Sequence, residues 1–247
     1  MTHRVIALGA SNLTRGLRTV VSLSRQAWGP EAEVFAALGL GRSFGADSRL
    51  LLRGLPGILQ CGLWRRLETL PPATTVGIVS DVGNDILYGY AADQILAWVG
   101  EAVSRLQRYT DNIALTGLPE GTVDTLPEWQ FRAIRTFMFP SSRQTLSQTR
   151  HTAEVVQRGL EQMAADRGLR FVRLHNEWYG WDPIHFRHRY WRRAWGEFLG
   201  LPAAAQNSAP EPGELAETIR FWLRADEHRT LIGIHQHTPQ QGRVQLF

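Results

Sequence analysis

Short continuous apolar runs alternate along the chain with longer stretches whose apolar residues recur every three or four positions. The runs Val5–Leu8, Glu33–Leu38, Thr75–Ser80, Asn112–Thr116 and Arg170–Leu174 predict strands buried on both faces. Between them, helical spacing predicts helices over Leu13–Trp28, Ala92–Gln107, Glu128–Phe137, Thr145–Asp166 and Glu214–Arg224. Ser48–Thr69 also reads as mostly helical, although Gly54, Pro56, Gly57 and Gly62 weaken it. Near the end, Thr230–His237 and Arg243–Phe247 predict a β-hairpin around Pro239–Gly242.

Strands alternating with helices imply an α/β fold, a three-layer α/β/α sandwich on a central parallel sheet of about five strands. One domain then covers residues 1–226. The tail 227–247 packs its hairpin on that domain or at a dimer interface, and the oligomeric state stays open. In open sheets of this kind ligands bind beyond the carboxyl ends of the strands, so the loops that follow each strand are where chemistry is expected.

The length of 247 residues suits one well-packed domain. A single cysteine, Cys61, rules out an intrachain disulfide. All 27 basic residues counted as Lys+Arg are arginine, which excludes a Walker A lysine, a pyridoxal Schiff base and a lysine general base. The net charge of +4 is too modest to argue for nucleic-acid binding, and none is expected. No targeting segment and no apolar stretch of the ~20 residues a membrane helix needs is visible, so a cytoplasmic protein without a membrane partner is expected.

The post-strand loops read Gly9-Ala10-Ser11-Asn12, Gly39-Leu40-Gly41-Arg42-Ser43, Asp81-Val82-Gly83-Asn84-Asp85 and Asp182-Pro183-Ile184-His185. They suit acyl transfer. A serine hydroxyl needs a base, which His185 can be, and Asp182 three residues earlier can hold the imidazole tautomer. The backbone N–H of Ser11, a glycine N–H and an asparagine amide would give an oxyanion three donors.

Each residue also has a plainer reading. Ser11 can cap the helix that begins near Leu13, and Asn84 and Asp85 can be turn or cap residues. Asp182 before Pro183 can be an N-cap, and Gly41 can simply need a positive φ. Gly41-Arg42-Ser43-Phe44-Gly45 spells a nucleophile elbow and makes Ser43 a rival, but it follows only one earlier strand. A dinucleotide fingerprint from Gly39 and Gly41 fails at Phe44. His185 with His188, or His235 with His237, offers metal-ligand pairs, but neither has a visible third ligand, so no metal and no cofactor are expected. Trp178, Trp181, Trp191 and Trp195 can be core or a stacking platform. Arg187, Arg189, Arg192 and Arg193 among them can bind an anion or form a solvated face.

Taken in order from Gly9 to His185, these motifs resemble those of the SGNH hydrolases, the GDSL esterase/lipase superfamily. The resemblance implies the flavodoxin-like fold of that superfamily. It implies Ser11 as nucleophile, Asp182 and His185 as the rest of a catalytic triad, and Ser11, Gly41 and Asn84 as the oxyanion hole. Gly-Arg-Ser at Gly41 is similar to a triplet of carbohydrate acetylesterases in the superfamily. Two positions depart: Ala10 stands where the first motif usually has Asp, and Val82 where the third usually has Gly. The implied reaction is cleavage of a carboxylic ester, an acetyl ester on a carbohydrate or a short acyl ester of a small molecule, without cofactor. The alternative is a non-catalytic ligand- or glycan-binding module on the same fold.

Overall fold

The computed structural model describes residues 2–50, 53–119, 121, 126–139, 142–206 and 227–247. In chain order the elements are β1 (His3–Leu8), α1 (Ser11–Trp28), β2 (Glu33–Ala37), β3 (Ser48–Leu50), β4 (Arg53–Leu55), α2 (Leu63–Glu68) and β5 (Thr74–Val79). There follow α3 (Gly83–Tyr88), α4 (Ala92–Leu106), β6 (Ile113–Thr116), α5 (Glu128–Met138), α6 (Leu146–Arg167), β7 (Arg170–Val172), α7 (Trp191–Phe198) and α8 (Ala203–Gln206). The chain ends in β8 (His228–Leu231), β9 (Ile234–His237) and β10 (Val244–Leu246). The helix expected over Glu214–Arg224 lies outside the described residues.

The main sheet is wholly parallel, in the order β10-β2-β1-β5-β6-β7. The five expected strands form it, and the chain end adds a sixth. Pleating sends alternate side chains of β1 into two cores. Ile6 and Leu8 join Phe35, Ile95, Val99, Val156 and Leu160 on the face covered by α2, α4 and α6. Val5 and Ala7 join Leu13, Leu17, Val20, Trp195 and Phe198 on the face covered by α1 and α7. The result is three layers, α/β/α. No helix among the described residues is long and apolar enough to cross a membrane.

Two expectations need correction. The Ser48–Thr69 stretch is not mostly helical: it makes the antiparallel pair β3–β4, a short 3-10 turn and then α2. Its glycines and Pro56 break helical continuity, and the pair gains a partner in β8 of the second sheet, order β3-β4-β8-β9. The tail does hold a hairpin, but its strands are β8 and β9. The turn falls at Ile232 (φ 51) and Gly233 (φ 77), not at Pro239–Gly242. Val244–Leu246 leaves that hairpin and pairs parallel with β2, with Val244 opposite Val34.

Strand order sets where a ligand can sit. From β1 the chain steps to β2 on one side. From β5, which borders β1 on the other side, it steps away to β6. The carboxyl ends of β1 and β5 therefore flank the topological switch point, the usual binding crevice of a doubly wound sheet. Ser11 follows β1 directly, and Asp81–Asn84 follow β5.

Candidate active site

Helix α1 begins at Ser11 with an N-cap residue, Ala10, whose side chain has no oxygen to offer. The first backbone N–H groups of a helix need acceptors from elsewhere. Asp81 supplies one from across the crevice. Its Oδ2 accepts from Ala10 N–H at 2.7 Å and from Leu13 N–H at 3.1 Å. Asp81 itself has φ 61, a left-handed conformation that Asp tolerates better than most residues. A carboxylate one strand away thus does what a side chain at position 10 would otherwise do.

Asn12 carries the connection onward. Its Nδ2 donates to Asp81 Oδ1 at 2.9 Å and to the Ile184 carbonyl at 3.0 Å. Its Oδ1 accepts from Phe186 N–H at 3.0 Å. The residues on both sides of His185 are thereby fastened to the first turn of α1. Within that loop, Asp182 Oδ2 meets His185 Nδ1 at 2.7 Å, and Asp182 Oδ1 accepts from Ile184 N–H. Burial pushes the Asp182 carboxyl up, but the His185 hydrogen bond and charge, with the Ile184 and His185 N–H groups, outweigh it and hold the group below its usual value. His185 is 6% exposed, and its Nε2 has no hydrogen-bond partner among the described residues. No hydrogen bond joins it to Ser11 Oγ.

Ser11 and Asn84 line one cleft of about 920 Å³, a volume that includes its open mouth. Its remaining wall is largely apolar, including Ile86, Leu118, Phe131 and Ile134. Phe131 and Ile134 bring α5 over the cleft and pack with Leu126, Leu146 and Leu87. Tyr179 also lines the cleft; burial first, and then the Asp81 charge, push its phenol well above its usual value, so it stays neutral.

Gly41 is not part of that lining; it sits in the loop after β2. Its φ of 66 is in the left-handed region, and its carbonyl accepts from the Tyr88 hydroxyl at 2.7 Å. Asn84 Nδ2 reaches the same loop, 3.4 Å from the Arg42 carbonyl. The Arg42 side chain is fully buried and fixes the loop by donating to Leu38, Pro56 and Phe247 carbonyls. The Asp182–His185 loop is therefore tied through Asn12 to the turn that Ser11 begins, whereas Ser11 and Asn84 are brought together only as lining of the cleft, which Asp182 and His185 do not line. The Gly41 loop meets Asn84 through the Arg42 carbonyl.

Ser43 is excluded as a nucleophile. It is fully buried, its hydroxyl donates to Asp85, and its Oγ accepts from Gly45 and Ala46 N–H. Asp85 is structural, as its place in the turn suggested: its other oxygen accepts from Phe44 N–H at 3.0 Å. Trp178 and Trp195 are core, fully buried against Phe186 and Phe198, and of that aromatic group only Trp181 is well exposed. Arg193 pairs with Glu177, and Arg192 donates to Gln26. Sequence reading gave no role to Asp81, Asn12 or Tyr88. The missing acceptor at Ala10 was the one signal that pointed toward a carboxylate from elsewhere.

No protein-family model and no curated protein matches the chain. Among solved structures it is similar to a carbohydrate acetylesterase family member from Sinorhizobium meliloti (17% identity, 79% of this chain and 95% of that one, TM-score 0.47). It is also similar to the psychrotrophic esterase EstA from Pseudoalteromonas sp. (12% identity, 89% and 98% of the chains, TM-score 0.44). A third is a member of the lipolytic protein G-D-S-L family from Veillonella parvula DSM 2008 (13% identity, 77% and 92% of the chains, TM-score 0.47).

Proposed function

We propose that this chain is a serine hydrolase of carboxylic esters. The observation that carries the reading is the 2.7 Å contact between Asp182 and His185 Nδ1, which leaves a buried, unpartnered Nε2 on a loop that Asn12 fastens beside Ser11. An imidazole so held has one nitrogen committed and the other available for a proton.

In this reading Ser11 Oγ attacks the ester carbonyl carbon and passes its proton to His185 Nε2. Asp182 keeps the proton of Nδ1 in place and balances the imidazolium. The carbonyl oxygen becomes an oxyanion, met by the N–H groups of Ser11 and Gly41 and by the Asn84 amide. The C–O bond to the leaving group breaks, His185 returns the proton to the departing alcohol, and an acyl-Ser11 ester remains. Water then repeats the sequence and releases the acid. The apolar cleft wall suits the acyl group of the ester better than a sugar, because it offers few donors or acceptors for hydroxyls.

The test is reaction with a fluorophosphonate followed by peptide mass spectrometry, beside hydrolysis of an aryl ester. Adduct on Ser11, lost in Ser11→Ala together with hydrolysis, is the expected result. Adduct on another serine would reassign the nucleophile. Folded protein that neither reacts nor hydrolyses would leave the non-catalytic binding module as the better description.

A further inference from the structure

A second cluster of chemically capable side chains lies on the small antiparallel sheet, outside the cleft. His228 and His237 are directly opposite each other at the open end of the β8–β9 hairpin. Opposed residues of an antiparallel pair project to the same face. Their rings stack with centroids 4.6 Å apart. Glu227 precedes His228 and brings its Oε2 within 3.9 Å of His228 Nε2. One ligand-capable atom from each of the three lies within 4.8 Å of the others.

The backbone under this cluster is fixed. Glu227 N–H donates to the Leu246 carbonyl at 2.9 Å, and the Glu227 carbonyl accepts from Thr238 N–H at 2.8 Å. The two ends of the hairpin are thereby clamped to each other and to β10. The carboxylate is poorly served by its surroundings. Glu227 Oε2 is shielded from solvent and has no hydrogen-bond donor among the described residues. The nearest cation, Arg65, approaches the other oxygen at 3.9 Å from a largely exposed position. A shielded carboxylate oxygen without a donor is costly, and two stacked imidazoles leave nitrogen lone pairs to be used.

We propose that Glu227, His228 and His237 bind a divalent cation of the zinc class. Two imidazole nitrogens and one carboxylate oxygen make a donor set that zinc favours over magnesium or calcium, which prefer all-oxygen shells. Three protein ligands leave a fourth position, and a cleft lined by His228, His237, Asp47, Arg49 and Arg229 opens beside them. The cation satisfies Glu227 Oε2 and cross-links the hairpin ends, so its binding energy is added to the stability of that sheet. Sequence spacing pointed to His235 with His237 and offered no third ligand. Strand pairing instead sets His237 against His228, while His235 Nδ1 is engaged by Thr230 Oγ1 at 2.9 Å.

The site is independent of the ester-hydrolase reading and is tested without activity. The full chain is stripped with a chelator and titrated with zinc alone in a calorimeter, and separately with cobalt in a visible spectrometer. One zinc per chain and a tetrahedral cobalt spectrum are expected. His228→Gln and His237→Gln should each weaken zinc by roughly 10–100-fold or more, since losing a ligand costs at least as much as losing its support. His235→Gln should leave the affinity unchanged. No zinc uptake by the wild type, uptake that survives both ligand substitutions, or equal weakening by His235→Gln would each overturn the assignment. Should a variant misfold, the wild type still tests the site: no cobalt uptake, or an octahedral spectrum, overturns the assignment.

Discussion

Asp81 Oδ1 accepts a hydrogen bond from Asn12 Nδ2 at 2.9 Å, and this bond joins the two sides of the crevice between β1 and β5. Asn12 has three committed contacts: Asp81, the Ile184 carbonyl and Phe186 N–H. In the proposed hydrolase its side chain is a positioning residue for His185. In Asn12→Ala the loop over residues 182–186 loses its tether to α1. The expected result is a fall in kcat of about tenfold or more with a smaller change in KM, because misplacing a base costs rate before binding. Unfolding in denaturant should show a loss of about 1–3 kcal/mol from the buried groups left unpaired. An unchanged kcat in Asn12→Ala would remove the positioning role.

Asp182→Asn separates charge and tautomer from shape. The amide keeps the size of the side chain but donates where the carboxylate accepts, so His185 Nδ1 is driven to the wrong tautomer. If Ser11, His185 and Asp182 form the proposed triad, hydrolysis should fall by up to about 10⁴-fold, the loss seen when the orienting carboxylate of a serine-hydrolase triad is replaced by its amide. The stability consequence has a definite sign. A carboxyl whose folded pKa lies below its unfolded value stabilises the fold above the ordinary carboxylate range, and that help is lost as pH falls through the lowered value. Acid unfolding of Asp182→Asn should lack this component. Asp182 is about half exposed, so the component is small.

Asp85 behaves in the opposite sense. Burial pushes its carboxyl from 3.8 up to about 6, against hydrogen bonds from Ser43 and Phe44 N–H that pull it down. Across that window the folded chain holds a proton that the unfolded chain has released, so stability falls as pH rises. The full effect is roughly 3 kcal/mol. Measured by denaturant unfolding across the window, wild type should lose ground against Asp85→Asn by that amount. Parallel curves for the two proteins would mean that Asp85 titrates normally.

Much of this arrangement was legible because strands buried on both faces are apolar runs and their ends carry small polar loops. The loops that hold Ser11 and Asn84 follow β1 and β5 and could be located from that logic, whereas Asp182 and His185 lie well beyond β7 and stood out only by their spacing. Asp81 could not be assigned a role, because its partner Ala10 is 71 residues away and nothing local shows which way a carboxylate after a strand will turn. The strand within Arg243–Phe247 was expected, but nothing local shows that its partner is β2 and not the strand before it. Ser48–Thr69 misled for a related reason. Its length suggested a helix that Gly54, Pro56, Gly57 and Gly62 argued against, and only a third strand from the tail makes a strand pair of its first half. Ser43 looked like an elbow nucleophile by spelling alone, yet its environment is a closed hydrogen-bonded turn.

The packing of α1 against α7 gives a prediction with competing terms. Gly16 lies mid-helix, where alanine is normally favoured by about 1 kcal/mol. A Cβ there would fall inside the indole of Trp195, a fully buried side chain. Overpacking of this kind costs about 1–3 kcal/mol or more, so Gly16→Ala should destabilise despite its better helix propensity. A higher melting temperature in the variant would show that Trp195 can move aside.

The cleft wall sets an expectation for the acyl group. Each methylene moved from water onto an apolar wall gains up to about 0.8 kcal/mol. Aryl hexanoate should therefore be cleaved with a kcat/KM at least roughly tenfold above aryl acetate, a fraction of the transfer energy for four methylenes. Ala153 lines the same cleft and has room to be enlarged only at the expense of that space. Ala153→Phe should abolish the preference for hexanoate while leaving acetate hydrolysis within about threefold, since uniform loss of acyl binding does not reach the reacting centre. If acetate is the better substrate of the wild type and Ala153→Phe changes neither rate, the acyl group does not enter this cleft, and the apolar wall must instead receive the alcohol.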